Sequence, residues 1–192
     1  MGWREDVKFG IGRVGRLFLG ETNGQLGTEV LATGAEINDV ADKSAAEIVS
    51  IEGDIVITQA LHANKILVLN KAAGIAVTMP EAEATGDVYT FILGTVMSSN
   101  SLVITAADTT NCDFAGVCNS HDEDTANVWN IYVAKQSDSY DIFTMNRTTQ
   151  GGVSPGFDWV QFTDIKADLF AVQAQLYVPT GSNPATPFST TA

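Results

Sequence analysis

Positive charge is what this sequence has least of. Lysine and arginine together number 10 in 192 residues, against 23 aspartates and glutamates, for a net charge of −13. That balance repels nucleic acid and anionic membranes and excludes a broad phosphate-binding face. Charge of either sign is scarce, at 17% of residues, below the roughly 25% of ordinary soluble domains. A surface built instead from Thr, Ser, Asn, Ala and Gly suits a chain partly covered by neighbours. Two cysteines, Cys112 and Cys118, are too few for the disulfide framework of a small secreted fold. Two histidines, His62 and His121, leave little for imidazole chemistry. No apolar run approaches the ~20 residues of a bilayer span. Met1 is followed by charges, not by the apolar stretch of a signal peptide. The expectation is a soluble chain made in a cytoplasm.

What is present can support a core. Hydrophobic residues make up 45% and the mean hydropathy is +0.09, enough for one sizeable domain at this length. Charge is unevenly spread. Residues 1–20 hold Arg4, Lys8, Arg13 and Arg16 against Glu5 and Asp6, and nearly all the acidic excess lies after them. A basic arm on an acidic body implies different partners for the two ends, with an acidic protein surface the natural match for the arm.

Residues 1–32 contain seven glycines, from Gly2 to Gly27, and apolar residues with no sustained helical or strand period. They read as an extended arm, ordered by docking. Residues 33–48 read as a short helix or linker. Thr33 and Glu36 have capping-box spacing, and Ile37, Val40, Ala41 and Ala45 share one helical face. Residues 49–178 read as a β body. Ten runs are strand candidates: Ile48–Ile51, Asp54–Thr58, Lys65–Leu69, Ile75–Met79, Val88–Leu93, Leu102–Thr105, Val128–Ala134, Asp141–Met145, Asp158–Asp164 and Phe170–Val178. Within Lys65–Gly94 three such runs, separated by Gly and Pro punctuation, predict a β-meander. Ala107–Asn127 reads as a long apical loop, and residues 179–192, with Pro179, Pro184 and Pro187, as an extended tail that stays free or lies along a partner. The fold class expected is all-β, an antiparallel sandwich or barrel.

Gly10–Gly15 matches G-x-G-x-x-G, but Gly20 and Gly24 fall where a helix should follow, so a glycine-rich arm is the better reading than a dinucleotide site. Cys112 and Cys118, near His121, Asp122, Glu123 and Asp124, have neither zinc-knuckle nor EF-hand spacing, and free thiols in a loop are favoured over a disulfide or a metal. Glu81 with Glu83, and Asp122 with Glu123, read as solvated turn charges. Asn146-Arg147-Thr148 is a formal glycosylation sequon, taken as coincidence. Trp129, Tyr132, Trp159, Phe162, Phe170 and Tyr177 lie on strand-like runs and are expected in the core, with a glycan-binding face as the alternative. No catalytic set, cofactor site or metal site is expected.

The order of turns and aromatics from IAVTMP through DVYTFILG and SSNSLVITA to Gly156-Phe157-Asp158-Trp159-Val160 and the last strand before a Thr/Gly/Pro tail resembles structural proteins of tailed-bacteriophage virions, of the head-decoration (cement) or fibre type. So does Gly34-Ala35-Glu36-Ile37-Asn38. The resemblance covers residues 33–192. It implies a non-enzymatic virion protein, a homotrimer that binds the major capsid protein or another virion protein and strengthens the shell. On this reading the arm docks through Phe9, Arg13, Arg16, Leu17, Phe18 and Leu19, with no nucleic acid or membrane as partner. The other role it implies is a tail fibre or receptor-binding component that meets a host glycan.

Overall fold

The computed structural model describes residues 17–22, 25–30, 48–123 and 128–191. The chain divides into two units, Met1–Ala45 and Ala46–Ala192. In the first, β1 (Leu17–Thr22) and β2 (Gln25–Val30) pair antiparallel, Leu17 opposite Val30 and Thr22 opposite Gln25. Of the expected docking residues, Phe9, Arg13 and Arg16 lie outside the described residues, as does Gly10–Gly15, and Leu17, Phe18 and Leu19 fall in β1. The expected helix lies outside the described residues except for Ile48, which opens a strand.

The second unit is all-β. Its strands are β3 (Ile48–Ile51), β4 (Ile55–Val56), β5 (Lys65–Leu69), β6 (Ile75–Thr78), β7 (Val88–Leu93), β8 (Leu102–Thr105), β9 (Asp113–Asp122), β10 (Val128–Ala134), β11 (Ile142–Met145), β12 (Trp159–Lys166), β13 (Leu169–Val178) and β14 (Phe188–Ser189). Among the described residues helix is confined to two short turns, α1 (Gln59–His62) and a 3-10 turn at Gln136–Asp138. No helix among the described residues is long and apolar enough to cross a membrane.

Seven strands form one sheet in the order β10-β9-β13-β12-β7-β5-β3, and five form another in the order β14-β11-β8-β6-β4. Every expected strand is present, yet the expected antiparallel pairing is only half right, because the sheets are mixed. Strands β3, β5 and β7 are parallel neighbours in the larger sheet, and β4, β6 and β8 are parallel neighbours in the smaller. The chain from β3 to β8 thus alternates between sheets, winding as successive coils, with Ile48 opposite Ile66 and Ile66 opposite Thr90. The meander expected over Lys65–Gly94 does not form: β5 and β7 are parallel neighbours, and β6 between them belongs to the other sheet. Parallel neighbours need a long crossover; here each crossover is itself a strand of the opposite layer.

The two sheets share one hydrophobic core. Alternate residues point into it, as period two requires: Tyr89, Phe91 and Leu93 from β7, Leu67 and Leu69 from β5, Ile75 and Val77 from β6, Leu102 and Ile104 from β8. Phe162 of β12 meets Phe143 of β11 edge-on across the layers at 6.1 Å.

The expected loop at Ala107–Asn127 instead contains β9, ten residues long and inside the larger sheet, antiparallel to β10 and parallel to β13. Gly116 sits where β9 passes β13. A Cβ there would lie well inside contact distance of the Val172 carbonyl oxygen, so glycine permits the close approach. The tail is also ordered on its own body: β14 pairs with β11, Phe188 is buried against Phe143 and Tyr140, and the Ala185 N–H donates to the Thr149 carbonyl at 2.8 Å.

Candidate functional site

Buried polar groups are where chemistry would be expected, and in this fold three of the buried carboxylates, Asp141, Asp158 and Asp164, fasten turns and the tail. Asp158, fully buried just before β12, accepts at Oδ2 from the N–H groups of Gly152, Val153 and Ser154, at 2.8 to 2.9 Å, and at Oδ1 from the Tyr177 N–H at 2.6 Å. Gly151 and Gly152 take positive φ to bring those donors round. Burial pushes the Asp158 carboxyl up, and its N–H partners pull it back only part of the way. Asp141 accepts from the N–H of Thr191 at 2.6 Å and from its hydroxyl, fastening the end of the tail.

Asp164 organises the third turn. It accepts from the N–H groups of Glu83, Ala84 and Thr85 and from the Thr85 hydroxyl, at 2.8 to 3.1 Å. Burial raises its carboxyl, but these donors outweigh burial and hold it below the ordinary value. The cleft beside it, about 200 Å³, is edged by Glu81, Glu83, Asp87 and Tyr89. Burial, then the carboxylates of Asp87 and Asp164, push the Tyr89 hydroxyl up to about 12, so it stays protonated. Because ionised Asp164 favours the folded state, its contribution is complete above the ordinary aspartate value of 3.8 and is lost as pH falls through the lowered folded value. Asp164→Ala should therefore lower the melting temperature at neutral pH and make the acid limb of the melting-temperature profile shallower. An acid limb identical to wild type would refute that role.

The two cysteines are free and buried. Cys112 precedes β9 and Cys118 lies within it, so six residues of extended chain, roughly 20 Å, separate them. A disulfide needs Cα atoms within about 7 Å. Burial pushes both thiols up to about 12, with nearby carboxylates adding to the effect. They are free thiols, Cys112 in the connection before β9 as expected and Cys118 within the strand and not in a loop. Cys118 faces the core while His121, three residues on, faces outward, so β9 sets the expected metal candidates on opposite faces. Asp124 lies outside the described residues. Among the described residues, no group of three or more His, Cys, Asp or Glu is placed to hold a metal ion. Asp122, expected in a solvated turn, is buried at the end of β9, whereas Glu123, Glu81 and Glu83 are exposed.

His62 is buried in α1, and its Nδ1 accepts from the Thr58 N–H at 3.0 Å, closing that turn. The sequon asparagine is similarly engaged: Asn146 Oδ1 accepts from the N–H groups of Thr148, Thr149 and Gln150.

The aromatics divide between two environments. Phe162 and Phe170 are in the core as expected, whereas Trp129, Tyr132, Trp159 and Tyr177 are only partly covered. Trp129, His121 and Tyr177 form a row across β10, β9 and β13, and Phe157 continues it. His121 stacks on Tyr177 at 5.7 Å and 15°, and its Nδ1 is buried with no hydrogen-bond partner. Trp129 is half exposed at the end of the row. Sequence reasoning listed Trp129 and Tyr177 but missed His121 and Phe157 as their companions, because the row exists only through the pairing of β9, until then read as loop, with β10 and β13.

The row belongs to a larger surface. Register places the outward residues of the larger sheet side by side: Ile131, Asn119, Gln175, Trp159, Ile92 and Val68 make the next row. The outward positions of β10, β7, β5 and β3, those of β9 from Ala115 to His121, of β13 from Ala171 to Tyr177 and of β12 from Trp159 to Thr163, include no Asp, Glu, Lys or Arg. A protein of net charge −13 thus keeps the central part of one sheet face free of formal charge. Comparison with protein-family models, with curated proteins and with solved structures finds no match to this chain.

Proposed function

We propose that this chain is a non-enzymatic structural protein of a tailed-bacteriophage virion, a head-decoration protein that docks on the capsid and stabilises the shell. The observation that carries the reading is the uncharged outward face of the seven-stranded sheet, a surface suited to covering by protein and not to acid–base work. The use of Asp141, Asp158 and Asp164 as turn fasteners agrees with it. The resemblance of the residue order to virion proteins supplies the choice of partner, the major capsid protein. Residues 1–32 form the docking arm, through Phe9, Arg13, Arg16, Leu17, Phe18 and Leu19, and copies associate as a trimer on the virion surface. Deleting residues 1–30 is expected to leave a body with native circular dichroism that no longer co-sediments with expanded heads lacking their own decoration protein. Retained co-sedimentation would overturn the docking role of the arm.

The row Trp129–His121–Tyr177–Phe157 favours a second reading, a tail-associated protein that binds a host glycan. Sugar rings stack on aromatic faces, and Asn119 and Gln175 in the adjacent row offer amide partners for hydroxyls. Labelled protein found on the tail and not the head would select it.

A further inference from the structure

The strand β10 lies at the edge of the seven-stranded sheet and, among the described residues, pairs only with β9. Its sequence is Val-Trp-Asn-Ile-Tyr-Val-Ala, with no proline, glycine or charge. Proteins guard such edges with charge, proline or bulges, since unpaired N–H and C=O groups invite another strand; β10 carries none of these. Its outward side chains are large, apolar and well exposed: Trp129 at 50%, Ile131 at 65% and Val133 at 59%.

From this we infer that β10 and the outward sheet face beside it form the contact surface between copies of this chain. The inference deepens the proposed function, since it rests on reading the protein as an assembly component and names the surface by which copies associate. Charge selects a second copy as the occupant. Two chains of net charge −13 repel wherever acidic surfaces meet, and this face is where they can approach with no carboxylate opposite another. Size agrees. Seven strands at about 4.8 Å spacing and some six residues of length give roughly 600 Å² per copy, so a pair buries about 1,200 Å², the lower end of the range for stable interfaces. Homo-oligomeric interfaces are also the more apolar class. The alternation of β10 fits: Trp129, Ile131 and Val133 point outward from the face and meet the partner's apolar side chains.

The test is sedimentation velocity on the full-length chain. Wild type should associate with increasing concentration. Ile131→Glu with Val133→Glu should weaken self-association at least about a hundredfold, since like charges brought together in an interface cost several kcal/mol, and leave the far-ultraviolet spectrum and melting temperature of the monomer unchanged. Ile131→Thr with Val133→Thr retains strand propensity and should weaken association less; it keeps the test alive if the glutamate variant does not fold. Val56→Glu, at an equally exposed site on the smaller sheet, should associate as wild type does. A wild type that stays monomeric, or both double variants associating as tightly as wild type, overturns the inference. If wild type binds heads while the variants still self-associate, only this contact surface fails. If the variants dissociate but wild type binds no virion component, only the virion reading fails.

Discussion

Replacing Phe162 by alanine is expected to destabilise the body by about 3–5 kcal/mol, the range for emptying a large aromatic site in a packed core. Phe162 is fully buried on β12 and is the ring on which both layers converge. It meets Phe91 of β7 at 6.0 Å, Phe114 of β9 at 4.9 Å, Phe170 of β13 at 6.3 Å and, from the opposite sheet, Phe143 of β11 at 6.1 Å. Three of the four are edge-on, the arrangement the ring quadrupoles favour. Neighbours on four strands, held by their own backbone pairing, cannot all collapse into the space left, so the loss should sit high in the range. Domain stabilities of roughly 5–15 kcal/mol make this a large fraction of the whole. Urea denaturation should show a lower midpoint with an unchanged slope, since the surface exposed on unfolding stays nearly the same. A loss below about 1 kcal/mol would mean that the layers do not share this core.

Asp158→Ala should be comparably severe for a different reason. It removes no apolar contact but takes one acceptor from four N–H groups at once: Gly152, Val153, Ser154 and Tyr177. Each buried donor left without a partner costs about 1–3 kcal/mol. Water entering the vacated space offsets part of this, so about 3 kcal/mol is the expected net loss. The Tyr177 N–H depends on the carboxylate because the chain turns before β12 begins at Trp159, so no strand carbonyl reaches it. The main chain of residue 158 is tied in as well, its carbonyl accepting from the Leu93 N–H at 2.9 Å, so the turn also fixes the end of β7. Asp158→Asn provides the internal comparison. Its single carbonyl oxygen can serve the three donors of the Gly152–Ser154 turn, but its amide NH2 then faces the Tyr177 N–H, donor against donor. Asparagine should therefore fall between wild type and alanine. Equal stability of all three chains would show that the carboxylate does not hold the turn.

Both residues illustrate how the fold uses its few polar groups. Acidic residues make up most of the charge, yet Asp141, Asp158 and Asp164, all buried, accept from backbone N–H donors. What the molecule offers to its surroundings is the uncharged sheet face with its aromatic row. The arm-deletion and self-association experiments test the two ends of the proposed function separately.

The sequence by itself determined ten of the body's strands, because that information is local. In Val88–Leu93 the alternation of Tyr89, Phe91 and Leu93 with Val88, Thr90 and Ile92 assigns a buried and an outward face without reference to any other strand. Turn chemistry was similarly local, as with Gly86 and Gly151, which take the positive φ only glycine adopts freely. The partners of each strand were decided only by the tertiary structure. A run, a turn and another run read the same whether the chain folds back as a hairpin or crosses to the opposite layer, so β5, β6 and β7 looked like a meander although β6 lies in the other sheet. Strand β9 escaped notice for a related reason. Its inward residues include Cys118, Ser120 and Asp122, and Gly116 interrupts it, a composition that reads as loop until β10 and β13 flank it and supply the ladder. The aromatic row and the charge-free face follow from that pairing: each strand holds one or two of their residues, and only register sets those residues side by side.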